Sequence, residues 1–155
     1  MPKYRSLTMQ EIEPLEKEFV QFLIINGITK DDWVKIKQED SSRAADIMSS
    51  FSDTVFEKIL RETHYLNKIE PKTIFCFKCD PEQISVIILT TRDKQYDFTK
   101  DGMQRALNNP PTDLKIMKQS KSYSPNREEE IYKMMNMGCI KSDGTIYRTL
   151  EEENP

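Results

Sequence analysis

Three cysteines and a single histidine are the side chains of this sequence that could bind a metal or take part in redox chemistry. Two of the cysteines form a Cys-x-x-Cys pair within the stretch IFCFKCD. A structural zinc ion takes four ligands, and such a pair commonly supplies two of them. One hypothesis for the function is therefore zinc binding through the full set of four, Cys76, Cys79, Cys139 and His64.

The residues around the Cys-x-x-Cys pair also allow a simpler interpretation. Phe75, Phe77 and Lys78 favour an extended strand, whereas zinc knuckles usually turn between or just after their cysteines. Positions three apart in a regular strand face opposite sides, so Cys76 and Cys79 would point away from each other. A thioredoxin-type redox site lies at a helix N-terminus, which this strand-like context does not provide. The alternative to zinc is therefore a β-strand that contains two small apolar residues.

A basic stretch, residues 115–127, is the best candidate for nucleic-acid binding. It contains four cations and a tyrosine that could stack on a base. No recognised DNA- or RNA-binding signature accompanies it, and a few cations on a loop and a strand edge are typical of a solvated face. Nucleic-acid binding is therefore the second alternative, and it would use Lys115, Lys118, Lys121, Tyr123 and Arg127.

Three methionines form the other unusual cluster of the sequence, on a predicted helix that ends at Gly138. Methionine adapts to partners of irregular shape, so an exposed cluster would indicate a groove for a protein or peptide. Core filling is the competing interpretation, because a helix normally buries one face. Met134 and Met137 fall on one side and Met135 on a neighbouring one, so the apolar arc is wide. On a peripheral helix a wide arc would indicate contact with a protein partner or a second copy of the chain, and core filling stays the alternative.

The sequence contains no motif that marks a common catalytic or nucleotide-binding site: no G-x-G-x-x-G, Walker loop, H-E-x-x-H or G-x-S-x-G pattern. Its acidic pairs near predicted helix starts already have an explanation in the helix dipole. We therefore name no catalytic residue and expect no cofactor, and the sequence favours a protein that is not an enzyme.

Composition is that of an ordinary protein of the cytoplasm. The 155 residues include 23 basic and 26 acidic side chains, and the net charge of −3 gives no general attraction to nucleic acid or to an anionic membrane. An odd number of cysteines fits a reducing compartment. No apolar run has the length of a signal peptide or a membrane span, so we expect a cytoplasmic protein without a membrane partner.

Helical signals fill the first part of the chain, and strand signals follow. Thr8 with Glu11, and later Thr29, provide N-capping patterns that predict two helix starts. From Thr63 to Thr91 the chain is rich in β-branched and aromatic residues, which predicts three strands. The third, ISVIILTT, is apolar on both faces and is expected to be central. A helix capped by Thr99, with Met103, Ala106 and Leu107, is predicted next. The alternating stretch DLKIMK then predicts a fourth strand, KQSKSYSPNR a loop, and two further helices follow.

These elements predict an α+β fold. An N-terminal helical layer packs on a mainly antiparallel sheet of about four strands, with further helices in the C-terminal half. No internal repeat or long linker divides the chain, so we expect a single domain over residues 1–155 with frayed ends at about 1–7 and 151–155.

Several stretches of the chain resemble a family of short uncharacterised proteins found mainly in the Bacteroidetes. The resemblance runs from LEKEFVQFLIINGITKDDWVKIKQED through FSDTVFEKIL, and includes DFT at Asp97 to Thr99 and GCIKSDGTIY near the end. It implies a bacterial cytoplasmic protein and transfers no functional site. The leading hypothesis from the sequence is therefore a non-enzymatic domain that binds a protein partner or forms a homodimer.

Overall fold

The computed structural model describes residues 2–100 and 108–153, which form two compact units, Met1–Ile59 and Leu60–Pro155. The first unit is helical. It comprises α1 (Met9–Ile12), a short 3-10 helix (Glu13–Leu15), α2 (Glu16–Ile25), α3 (Lys30–Glu39) and most of α4 (Ser41–Arg61).

Two capping boxes begin helices of the first unit, as the sequence predicts. The Thr8 hydroxyl accepts from the N–H of Glu11, and the Glu11 carboxylate accepts from the N–H of Thr8, at 3.2 and 2.9 Å. Thr29 and Asp32 form the same reciprocal pair at the start of α3, with both distances 3.1 Å. Each box satisfies two backbone donors that a helix start leaves without a partner.

Aromatic and aliphatic side chains form the core of this unit. The Phe19 ring meets those of Trp33 and Phe51 edge-on, at centroid distances of 5.2 and 4.9 Å. The segment before α1 is hydrogen-bonded to α4: the N–H of Lys3 donates to Asp53, and the N–H of Leu7 to the Ser52 hydroxyl. Fraying of residues 1–7 stays a prediction about the protein in solution.

The second unit is built on an antiparallel sheet of five strands, with the order β4-β3-β2-β1-β5. Within the described ranges its longer helices are α5 (Arg127–Asn136) and α6 (Thr145–Glu153). The strands are β1 (Tyr65–Ile69), β2 (Thr73–Cys79), β3 (Gln83–Thr90), β4 (Lys115–Ser122) and β5 (Ile140–Ser142).

The α+β class, the antiparallel sheet and the N- and C-terminal helices are confirmed, but the sheet has five strands rather than about four. The additional strand is β5, which pairs antiparallel with the first residues of β1. Its three residues are too few to show a side-chain alternation, so only the pairing defines it. The single domain stays a prediction, since each unit is described here by itself.

One face of the sheet, called the core face below, is covered. Side chains of β2 and β3 pack there with Tyr147 and Leu150 of α6. Tyr96 and Phe98, from the segment after β3, belong to the same core cluster. The helix predicted around Met103, Ala106 and Leu107 lies outside the described residues. The strand side chains of the core face are Ile74, Cys76, Ile87 and Leu89.

The opposite face of the sheet is covered only in part. Register places Phe75, Ile88 and Met117 side by side across β2, β3 and β4, and Phe77 beside Val86 in the next row. Met117 is 46% exposed, and the other four side chains are half-buried. We call these five residues the open face.

Candidate protein-interaction surface

The cysteines lie within and beside the sheet. Cys76 and Cys79 belong to β2, which confirms the strand predicted for IFCFKCD, and the side-chain alternation puts Cys76 on the core face and Cys79 on the other. Cys139 is buried close enough to Cys79 to affect its titration. Among the described residues, no group of three or more His, Cys, Asp or Glu side chains is placed to hold a metal ion. Zinc binding stays a prediction of the sequence alone.

Burial controls the chemistry of the three thiols. It raises the pKa of Cys76 and of Cys79 to about 12. The pKa of Cys139 is also raised by burial, with Lys68 nearby acting in the opposite direction. A protonated thiol is a poor nucleophile and a poor metal ligand. Burial therefore favours the protonated form of all three thiols.

His64 is exposed and lines a pocket of about 570 Å³ at one end of the sheet. The cations Arg61, Lys78 and Arg127 line the same pocket, together with the carboxylates of Asp80 and Glu128. Charges of both signs are therefore close together there. The pocket's electrostatics do not select an anion or a cation.

The structure divides the basic stretch into two groups. Lys115, Lys118 and Lys121 lie on β4, whose eight residues are all exposed. Tyr123 is half-buried and donates its hydroxyl to the Asp80 carbonyl at 2.6 Å, and burial raises its pKa. The guanidinium of Arg127 donates to backbone carbonyls, so it is also occupied within the fold. Nucleic-acid binding stays a prediction. Of the five residues predicted for it, the three lysines are the accessible ones.

Two of the three methionines line a pocket on the open face. The pocket has a volume of about 220 Å³. It is lined by Met134 of α5 and by Met137, the residue after α5, together with Phe75, Phe77 and Ile84. Met137 is 69% exposed. Met135 is half-buried and does not line this pocket, in agreement with the two sides expected from the helical spacing.

The pocket continues toward β4. A neighbouring depression of about 140 Å³ shares Phe77, Ile84 and Lys121 with it and adds Val86 and Gln119. The Phe75 and Phe77 rings are stacked, with centroids 6.2 Å apart and an interplanar angle of 8°. The open face is therefore a shallow apolar surface that extends from α5 to the edge strand.

Charged side chains border the apolar surface. Lys121 pairs with Glu130 at 2.6 Å, where the lysine side chain is 68% exposed and the glutamate 8%. The other oxygen of Glu130 accepts from the N–H of Ser124 at 3.1 Å, so the carboxylate is directed into the fold. A molecule approaching from solvent therefore meets the ammonium group before the carboxylate.

Sequence reasoning missed the residues of the open face as a candidate site. The signal was present, since ISVIILTT is apolar on both sides and IFCFKCD has two phenylalanines at alternate positions. ISVIILTT was expected to be a central strand, and IFCFKCD was predicted as a strand without an accessible face. Only the packing of helices shows that one of these faces is left partly open.

The described fold defines a class: an α+β protein in which helices cover one face of an antiparallel sheet and leave part of the other face accessible. The chain matches the model of a family of unknown function, DUF6495, over residues 1–154, and it belongs to that family. No match was found among curated proteins or among solved structures. Within the described residues, no helix has the length and apolar character needed to cross a membrane.

Proposed function

We propose that this protein is a non-enzymatic interaction domain whose open face binds an apolar segment of another protein. The supporting observation is the chemistry of that face. Antiparallel sheets with one solvated face usually carry polar side chains on it. Here five adjacent positions on β2, β3 and β4 are two phenylalanines, a valine, an isoleucine and a methionine, and the polar side chains of β4 on this side border them.

Covering such a surface is energetically favourable. Removing apolar area from water stabilises a complex by roughly 25 cal/mol per Å² before the costs of association are subtracted. Contiguous apolar patches are uncommon on proteins that act alone and are typical of interaction sites. Methionines at the border, Met134 and Met137, suit partners of irregular shape because their side chains are flexible.

The charges at the border favour an acidic partner. Lys68 and Lys121 both line the larger pocket of the open face. Lys121 is 68% exposed, so its ammonium group can contact a partner's carboxylate while it stays paired with Glu130. A segment that combines apolar side chains with carboxylates therefore matches this surface better than a basic one.

The thiols and the resemblance support the compartment that we propose. All three cysteines are free, which suits a reducing environment. With the resemblance to proteins found mainly in the Bacteroidetes, this supports a bacterial cytoplasm as the place where the domain meets its partner.

A peptide-display experiment tests the proposal. Random peptides would be selected on the full-length protein and then measured against two double variants. Met117→Glu with Met137→Glu changes exposed residues at the open face, whereas Met9→Glu with Ile25→Glu changes exposed apolar residues of the first unit. We expect selected peptides to bind the second variant like wild type and the first about tenfold more weakly, a loss of about 1.4 kcal/mol.

Two results would contradict the proposal. One is the absence of any selected peptide, or of any difference between the two variants. The other is a wild-type dimer in sedimentation equilibrium that the Met117→Glu, Met137→Glu variant converts to monomer, because the occupant would then be a second copy of the chain.

A further inference from the structure

The outer edge of β4 is a long accessible strand edge. β4 pairs with β3 along all eight residues, and no strand within the described ranges pairs with its other side. Every second residue of an antiparallel edge strand directs its N–H and C=O outward, where they can bond to an added strand. The opposite edge of the sheet, β5, has only three residues. β4 is therefore the better template for strand addition.

Lysines occur at every third position of β4, namely Lys115, Lys118 and Lys121. Such lysines normally prevent two edges from pairing. Two copies of β4 could pair antiparallel in several registers. Because the lysines are three residues apart, each register with most of the strand paired places a lysine of one copy opposite or diagonal to a lysine of the other. Like charges in those positions are unfavourable. The spacing therefore disfavours a second copy and leaves an acidic strand as the matching partner.

The side-chain alternation connects this edge to the open face. Lys115, Met117, Gln119 and Lys121 project on the side of the open face, and Lys118 projects on the other. An added strand would place alternate side chains on the same two sides. An apolar side chain beside Met117 would extend the row formed by Phe75, Ile88 and Met117. Acidic side chains on either side of it would face Lys115 and Lys121.

We infer that the partner binds as an extended strand hydrogen-bonded to the outer edge of β4, with acidic residues facing Lys115, Lys118 and Lys121 and an apolar residue beside Met117. This inference rests on the proposed function and specifies its partner. Lys118 pairs with the exposed Glu151 at 3.2 Å, a contact that a bound carboxylate can replace. Lys121 pairs with the buried Glu130 at 2.6 Å, and its own side chain is exposed enough to meet a second carboxylate. Lys115 is exposed as well.

The probe is a synthetic peptide as long as β4, with glutamates opposite the three lysines and a valine opposite Met117. Two further peptides carry N-methyl groups on one or the other alternate set of backbone amides. Only one of these sets can donate to β4, because the N–H groups of a strand point alternately to its two sides. Calorimetry on the full-length protein should show loss of binding for one methylated peptide and retention for the other.

A charge exchange tests the lysines. We expect Lys115→Glu to weaken binding of the parent peptide about fivefold. A peptide with lysine in place of the facing glutamate should restore the affinity. Lys17→Glu, on the exposed surface of α2, makes the same change in net charge and should have no effect.

The outcomes separate this inference from the proposed function. If the peptide does not bind, or if both methylated peptides bind equally, strand addition is wrong. Another outcome is that both methylated peptides bind the wild type equally and fail to bind the Met117→Glu, Met137→Glu variant. That result would show that the open face binds protein segments by a mode other than strand addition. Failure of the peptide-display experiment would instead overturn the proposed function itself.

Discussion

Replacing Arg127 by methionine is expected to lower the free energy of unfolding by about 4 kcal/mol, because three buried carbonyls lose their charged donor. The guanidinium donates to the carbonyl of Leu60 at 2.9 Å, to that of Cys79 at 3.2 Å, and to that of Thr63. The Arg127 side chain is only 11% exposed, so water does not readily replace it. Equilibrium unfolding in urea measures the loss.

Arg127 joins segments that are distant in sequence. Its three acceptors lie at the end of α4, in the turn before β1 and at the end of β2. Methionine keeps much of the side-chain volume and removes every donor, so the measured loss reports the hydrogen bonds. Lys115→Met is the matched control. It also removes one positive charge, but on the exposed strand β4, and surface changes of this kind stay within about 0.5 kcal/mol. Equal effects of the two substitutions would contradict the role assigned to Arg127.

Gly144→Ala is the second substitution with a large expected effect, a loss of about 3 kcal/mol from overpacking and left-handed backbone strain. The residue has φ +81°, and an added Cβ would lie 2.4 Å from Cδ2 of Tyr65. The Tyr65 ring is confined by Tyr147 at 5.9 Å and by the Arg148 guanidinium at 5.4 Å. The ring therefore has little room to move aside.

Gly138→Ala separates the effect of overpacking from that of left-handed backbone strain. Gly138 also has a positive φ, +102°, but its added Cβ would meet only Cε of Lys68, at an ordinary contact distance of 3.8 Å. We expect this variant to lose only about 1 kcal/mol, which is the backbone cost alone. Thermal unfolding of both variants gives the comparison. Similar losses would show that the Tyr65 ring adjusts and that the clash is unimportant.

Local sequence signals were sufficient where neighbouring residues alone determine the structure. The capping boxes of Thr8 and Thr29 involve residues within one turn, and both helix starts lie where the sequence predicts them. The strand around Cys76 and Cys79 was also predictable, because alternation and β-branched or aromatic content are properties of a few adjacent residues. The side of α5 that presents Met134 and Met137 followed from helical spacing in the same way.

Features that depend on distant pairing were not predictable. β4 extends beyond DLKIMK through the polar stretch QSKS, which was expected to be a loop. An edge strand exposed on both sides needs no apolar alternation, so its sequence does not reveal it. β5 is defined by its pairing with β1, more than seventy residues earlier. Arg127 was grouped with the exposed cations because the carbonyls that bind it are not visible in the local sequence.

The unequal edges of the sheet also determine how many partner strands one molecule can accept. At one end, β4 offers eight residues of backbone, and at the other end β5 offers three. A sheet that can be extended at both ends can link molecules into an open chain, whereas one that can be extended at a single end makes only one such contact for each molecule. We therefore expect complexes of fixed composition, with one partner strand for each chain.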